Sequence, residues 1–345
     1  LNGFLFGKMT EDTKGNLYVA TEHGTLNCLD RNTRQVKPLD AVLSGLPAFT
    51  TKSVWYDVEN ERLYIGTFQY GLYCYSSGCL ESVGTDLLVS NSQCIITDLI
   101  PWKDDLIVVS QGGLFLLDLD TRRLSPLFSD PRLREQTGGI IRSAFLDTEN
   151  RLWLAPANKE VICVRMDDQS AEPIPSVWDK IGKKPVQSIV GDGRGHIYFA
   201  VTGIGVLAYD PSEGFRACYG REQGQLLTDD SFRMLVTPMG RLLVTSSRGI
   251  TLLDMETGKG THLLLGESSP LHRLNANCGI YLSPVDSLIF VGGVEGMIAL
   301  KEADFSSTEA PYEILFNSLS VNNMPVQPSD PSGILHKSVF HTSGF

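Results

Sequence analysis

The chain has 345 residues, 42% of them hydrophobic and 20% charged, with 33 Gly, 17 Pro and a formal net charge of −11. That is long for a single domain, although closed all-β architectures often reach this size as one body. The acidic balance, with no basic run and no basic amphipathic helix, argues against direct nucleic-acid binding and against anionic membrane surfaces, since both need clustered Lys and Arg.

No apolar stretch reaches the roughly 18 residues that span a bilayer. Leu1-Asn2-Gly3 lacks an initiating Met, a basic n-region and a cleavage site, and the sequence stops at Thr342-Ser343-Gly344-Phe345; both ends read as cut from a longer polypeptide.

One pattern recurs from the N-terminus onward: an apolar strand, a polar turn, a second strand, a short turn and a third strand. The second strand is the clearest marker, opening at Leu17, Leu63, Leu106, Leu152, Ile197, Leu242 and Leu288, positions 46, 43, 46, 45, 45 and 46 apart. The third opens eight or nine residues later at Leu26, Leu72, Leu114, Val161, Val206, Ile250 and Met297, and in five copies a Gly (Gly71, Gly113, Gly205, Gly249, Gly296) comes immediately before it. A repeat of this length, seven times over, predicts an all-β fold: a seven-bladed β-propeller of four-stranded antiparallel blades over residues 1–305. Residues 306–345 are expected to be a linker and the truncated opening of a β-sandwich.

The turn between first and second strands carries Asp12-x-x-Gly15, Asp147-x-x-Asn150 and Asp192-x-x-Gly195, with a longer version at Asp57. One or two carboxylates per loop are too few for calcium; Asp capping a turn, with Gly or Asn in the left-handed position, is the expected role. Of seven cysteines, Cys28, Cys74 and Cys163 each follow a third-strand anchor by two residues, a small apolar slot. Cys74 and Cys79 form the only local pair worth checking for a bridge. No Cys or His spacing suggests zinc, no nucleophile elbow is present, and no motif requires a cofactor.

In a propeller the segments leading into the first strands and the turns joining second to third strands share one face. The lead-in segments contribute Lys52, Arg142, Arg233 and Asn277, together with Asp98 and Gln187. The turns contribute His23, Phe68, Gln69, Tyr70, Gln111, Asn158, Lys159 and Arg248, together with Glu22, Ser247 and Glu295. Aromatic rings, amides and cations suit a polar ligand with planar faces, such as a sugar, through stacking and forked hydrogen bonds. The cations would also favour a carboxylated or sulfated one.

The stretches IRSAFLDTENRLWLA (141–155) and SVWYDVENERLYIGTFQYGLYCY (53–75) resemble the two-component regulator propeller repeat, and the likeness extends over residues 1 to about 305. SLIFVGG (287–293) followed by Gly296 is similar to that family's last blade, and PYEILFNSLSVN (311–322) to the first strand of its triple-tyrosine β-sandwich. Pro156 and Thr237-Pro238-Met239-Gly240 depart from the pattern. The resemblance implies a periplasmic sensor region of a hybrid two-component system of Bacteroides type, whose parent continues to a membrane helix, a histidine kinase and a DNA-binding regulator. It also implies oligosaccharide ligands and signalling as a homodimer, but supplies no binding motif that maps onto single residues. A propeller lyase or glycan-active hydrolase, with Asp98 and His23 as candidate groups, and a protein-interaction scaffold are the competing readings. Blade seven lacks an evident fourth strand; a strand from upstream of residue 1 is expected to supply it in preference to Tyr312–Val321.

Overall fold

A computed structural model describes residues 4–22, 26–39, 50–172, 174, 179–182, 184–266, 269, 271 and 273–305, and 319–321 and 324–326, with backbone alone for 4–6, 319–321 and 324–326. The chain divides into two compact units, Leu1–Ser306 and Ser307–Phe345.

In the first unit seven antiparallel sheets follow one another along the sequence, each strand pairing with the next. Blade one runs from Phe4–Glu11 to Gln35–Pro38, blade two from Thr51–Asp57 to Cys79–Val83 and blade three from Ile96–Trp102 to Leu124–Pro126. Blade four runs from Ile141–Leu146 to Ser170–Glu172, blade five from Val186–Gly191 to Gly214–Tyr219 and blade six from Ser231–Val236 to Gly260–Leu264. Blade seven has three described strands, Ile280–Leu282, Ile289–Gly292 and Met297–Leu300, so the expected fourth is not seen among the described residues. The first strands touch one another in succession, and Phe4–Glu11 meets Ile280–Leu282, which closes the ring as a seven-bladed propeller. In the second unit Leu319–Val321 pairs with Met324–Val326; residues 312–318, the rest of the strand expected there, lie outside the described residues.

Packing explains why the second strands were the clearest markers. Each is covered on both faces by flanking blades, so Arg151–Pro156, Ile197–Val201 and Leu242–Ser246 are buried at every position, as continuous apolar runs require. Fourth strands lie outermost, and Gln35–Pro38 is mostly exposed. The core is accordingly split into wedges, one at each joint. Trp153, Phe199 and Tyr209 meet edge to face, with centroids 6.0–6.3 Å apart, between blades four and five. Met9, Leu17, Val19 and Phe290 fill the joint between blades seven and one. Hydroxyls carry the first-strand backbones across joints: Thr10 Oγ1 accepts from Tyr56 N–H at 3.1 Å, Ser143 Oγ from Ile189 N–H at 2.9 Å and Ser188 Oγ from Met234 N–H at 3.2 Å. Without them these buried amides would lack partners.

The acidic turns behave as backbone caps. Asp12 accepts from the amides of Lys14 and Asn16, Asp147 from Glu149 and Arg151, and Asp192 from Arg194 and His196. The second carboxylate oxygen takes Tyr18 Oη in blade one and Trp153 Nε1 in blade four. At the divergent blade-six turn Thr237 Oγ1 accepts from Arg241 N–H, and Gly240 occupies the left-handed region at φ 74°. All seven cysteines are free. Cys74 pairs across its hairpin with Glu81 while Cys79 faces Ser76, so the two do not meet. Burial pushes the Cys163 thiol up to about 12 and that of Cys28 up to about 11, as for thiols packed as small hydrophobes.

The last joint has a polar clasp. Arg31, on the third-to-fourth turn of blade one, pairs with Glu11 and Asp286 and donates to Ser283 Oγ at 3.0 Å. Ser283 donates on to Glu11 at 2.8 Å, and the guanidinium lies 5.4 Å from the Phe290 ring centroid. At the axis the two backbones come so close that a Cβ on Gly279 would sit 1.7 Å from Gly7 O.

Two outcomes follow for stability. With a Glu11 side chain only 2% exposed, Arg31→Met leaves an uncompensated carboxylate and costs about 3–5 kcal/mol, most of which Arg31→Met/Glu11→Leu recovers; urea unfolding of single and double variants reads this, and equal losses in both would contradict it. Gly279→Ala lowers stability by about 1–3 kcal/mol, whereas Gly266→Ala, with nothing within 4 Å of the added carbon, is near neutral by the same assay.

Candidate ligand site at the channel mouth

A first strand pairs with its own blade along one edge only; the other edge faces the axis. Near the start of this strand the pairing register breaks: between Phe6 and Met9 in blade one, Thr51 and Ser53 in blade two, and Ile141 and Ser143 in blade four. It breaks again between Val186 and Ser188 in blade five and between Ser231 and Met234 in blade six. A bulge re-aims the side chain it carries. The residues inside these breaks include Lys8, Lys52, Arg142, Gln187 and Arg233, and with Asp98 and Asn277 they line one cavity of about 290 Å³ around the axis. Glu22, Phe68 and Gln111 join them from the second-to-third turns.

Charges within this cavity are unevenly satisfied. Lys8 Nζ is 2.7 Å from Asp98 Oδ2. Lys52 pairs with Glu22, and its ammonium stands 5.6 Å from the Phe68 ring centroid, within cation–π range. Gln187 Nε2 donates to Thr202 Oγ1 at 3.1 Å. Arg142 is exposed to the channel, and its side chain has no partner among the described residues. Arg233 donates through Nη1 to the carbonyls of Gln187 at 3.1 Å and Arg142 at 3.4 Å, while its own amide is held by Thr245 Oγ1. Its surface is partly accessible from the channel, yet protein surrounds it on all sides. That loss of bulk solvation pushes the guanidinium pKa below the usual arginine value, against the pull of the Asp98 carboxylate. Four cations (Lys8, Lys52, Arg142, Arg233) against two carboxylates (Asp98, Glu22) leave the lining at +2 in a chain of −11.

The structure brings together all six lead-in residues singled out in the sequence, and Phe68, Gln111 and Glu22 among the turn residues. Gln69 and Tyr70 follow Phe68 but lie outside the lining, with Tyr70 42% exposed. Asn158 and Arg248 are exposed and also outside it. Lys159 Nζ instead donates to the carbonyls of Glu135 and Gln136 at 2.7 and 3.2 Å, closing the C-terminus of a helix, Pro131–Thr137, where a cation is favoured. That helix was missed, although Asp130-Pro131, a cap followed by proline, is its signal. His23 lies outside the described residues. Lys8 was also missed; it stands 44 residues before Lys52 (52 − 8), so the repeat period would have found it.

No family model and no curated protein matches this chain. Among solved structures, the extracellular domain of the hybrid two-component system BT3049 from B. thetaiotaomicron superposes with a TM-score of 0.73 at 15% identity, over 96% of this chain and 44% of that one. The extracellular domain of BT4673 from the same organism gives 0.68 at 18% identity, over 86% of this chain and 38% of that one. Virginiamycin B lyase from Staphylococcus aureus gives 0.64 at 10% identity, over 87% of this chain and 96% of that one. The chain therefore spans less than half the length of those two extracellular domains, and its seven-bladed propeller resembles them in fold over the region covered.

Proposed function

We propose that this chain is a sensor propeller from the extracytoplasmic part of a hybrid two-component signalling protein, and that its channel mouth receives a small polar ligand. The observation that carries the reading is the convergence of one polar side chain per blade on a single cavity beside the Phe68 ring. Forked donors next to an aromatic face suit an oligosaccharide fragment. The fold likeness to BT3049 and BT4673 supports the cellular setting, which would be periplasmic. In the parent protein, ligand binding would act by altering the geometry of a homodimer. Among the described residues no helix is long and apolar enough to cross a membrane.

The lyase likeness is what favours an enzyme as second reading. Against it, Asp98 and Glu22, the carboxylates of the cavity, are each already paired with a lysine, and a general base must be positioned to take a proton from substrate. A turnover assay on glycan mixtures separates the two, since a sensor releases its ligand unchanged.

Screening an oligosaccharide panel by thermal shift tests the sensor reading: a ligand present at a hundred times its Kd stabilises the fold by about 2.7 kcal/mol. Phe68→Ala weakens that ligand by about three- to tenfold through lost stacking. A panel without effect, or a ligand indifferent to Phe68→Ala, would count against the channel mouth as the receptor.

A further inference from the structure

The two lysines of the channel each have a carboxylate of their own: Asp98 for Lys8, Glu22 for Lys52. Neither arginine forms an ion pair among the described residues, although the Asp98 charge acts on Arg233 at longer range. Among the described residues Arg233 has carbonyl oxygens as its only acceptors, and the guanidinium of Arg142, whose carbonyl is one of them, is unengaged. A carbonyl dipole does not neutralise a cation, and an enclosed charge that shares its carboxylate with a lysine is costly. The rest of the chain is acidic, so the pair is not part of a general basic surface. We infer that Arg142 and Arg233 form an oxyanion site on the propeller axis, which takes a carboxylate, sulfate or phosphate group of the ligand while the Phe68 side of the cavity takes its uncharged part.

This rests on the channel mouth as the receptor and adds the charge class of what it receives. Planar guanidinium groups match two oxygens of such an anion at once. The bulges that present them belong to the first strands of blades four and six, with blade five between, so the anion would bridge separate blades. A cavity of about 290 Å³ admits one sugar-sized moiety at this depth, so the inference concerns a terminal acidic group.

Calorimetric titration of the full chain at low ionic strength, with sodium glucuronate, glucose and sodium sulfate as probes, tests it. Glucuronate is expected to bind with one-to-one stoichiometry and at least tenfold more tightly than glucose, and sulfate to compete with it. Arg142→Gln, at an exposed position, is expected to weaken glucuronate about tenfold or more, and Arg142→Glu to abolish binding, while Arg248→Gln, outside the cavity, leaves it unchanged. Arg233→Met should match Arg142→Gln if it folds; the Arg142 variants decide the matter alone if it does not. No binding of either anion, equal affinity for glucuronate and glucose, or affinity unmoved by Arg142→Gln overturns the oxyanion site. A neutral oligosaccharide that needs Phe68 but not Arg142 would keep the receptor and remove the oxyanion site. Sulfate that needs Arg142, with no saccharide bound, would keep the site and remove the saccharide reading.

Discussion

Everything in this fold depends on the fact that a twisted four-stranded sheet with two apolar faces cannot cover either one alone. Each blade is buried only by its neighbours, so the core exists as wedges between blades and not within them. A linear stack would leave two raw faces; a ring leaves none. Here every sheet is made from consecutive strands, so no strand is shared across the final joint among the described residues. Among the described residues the closing contact is made by side chains and by backbone proximity. The Arg31–Glu11–Ser283–Asp286 clasp and the Gly7–Gly279 approach both occur at that joint.

The channel site is a by-product of the same constraint. Closing the ring points one unpaired strand edge per blade at the axis, and the bulges near the start of those strands turn a side chain inward. What lines the axis can vary with little disturbance of the wedges, because the polar side chains turn into the channel while apolar residues of the same strands, such as Met9, Val54 and Ile189, fill the wedges. Lys, Arg, Gln, Asp and Asn can alternate around the channel of an otherwise repetitive molecule, and function can sit there at little cost to stability.

The blades were legible in the sequence because burial on both faces writes continuous apolar runs at a fixed spacing; Leu63, Leu152 and Leu242 all lie in fully buried stretches. Lead-in residues were legible through the same period, without any knowledge of the bulges that aim them. The turn residues were less so. Whether Lys159 faces ligand or closes a helix depends on a seven-residue helix inserted before blade four, and a repeat pattern carries no information on insertions. The pairing of Lys8 with Asp98 spans 90 residues and depends on closure itself, so no local pattern encodes it. That pairing ties up Asp98, so Arg142 and Arg233 have no ion-pair partner among the described residues.

The central claim, a ring closed by side chains with blades one and seven as firm as the rest, is tested most directly by native-state hydrogen exchange. Amides of Met9–Glu11 and Ile280–Leu282 should open with the same free energy as those of Ser143–Leu146, because loss of one wedge exposes two sheets and the ring then fails as a whole. Earlier exchange confined to blades one and seven, through an opening of lower energy than that of blade four, would contradict it.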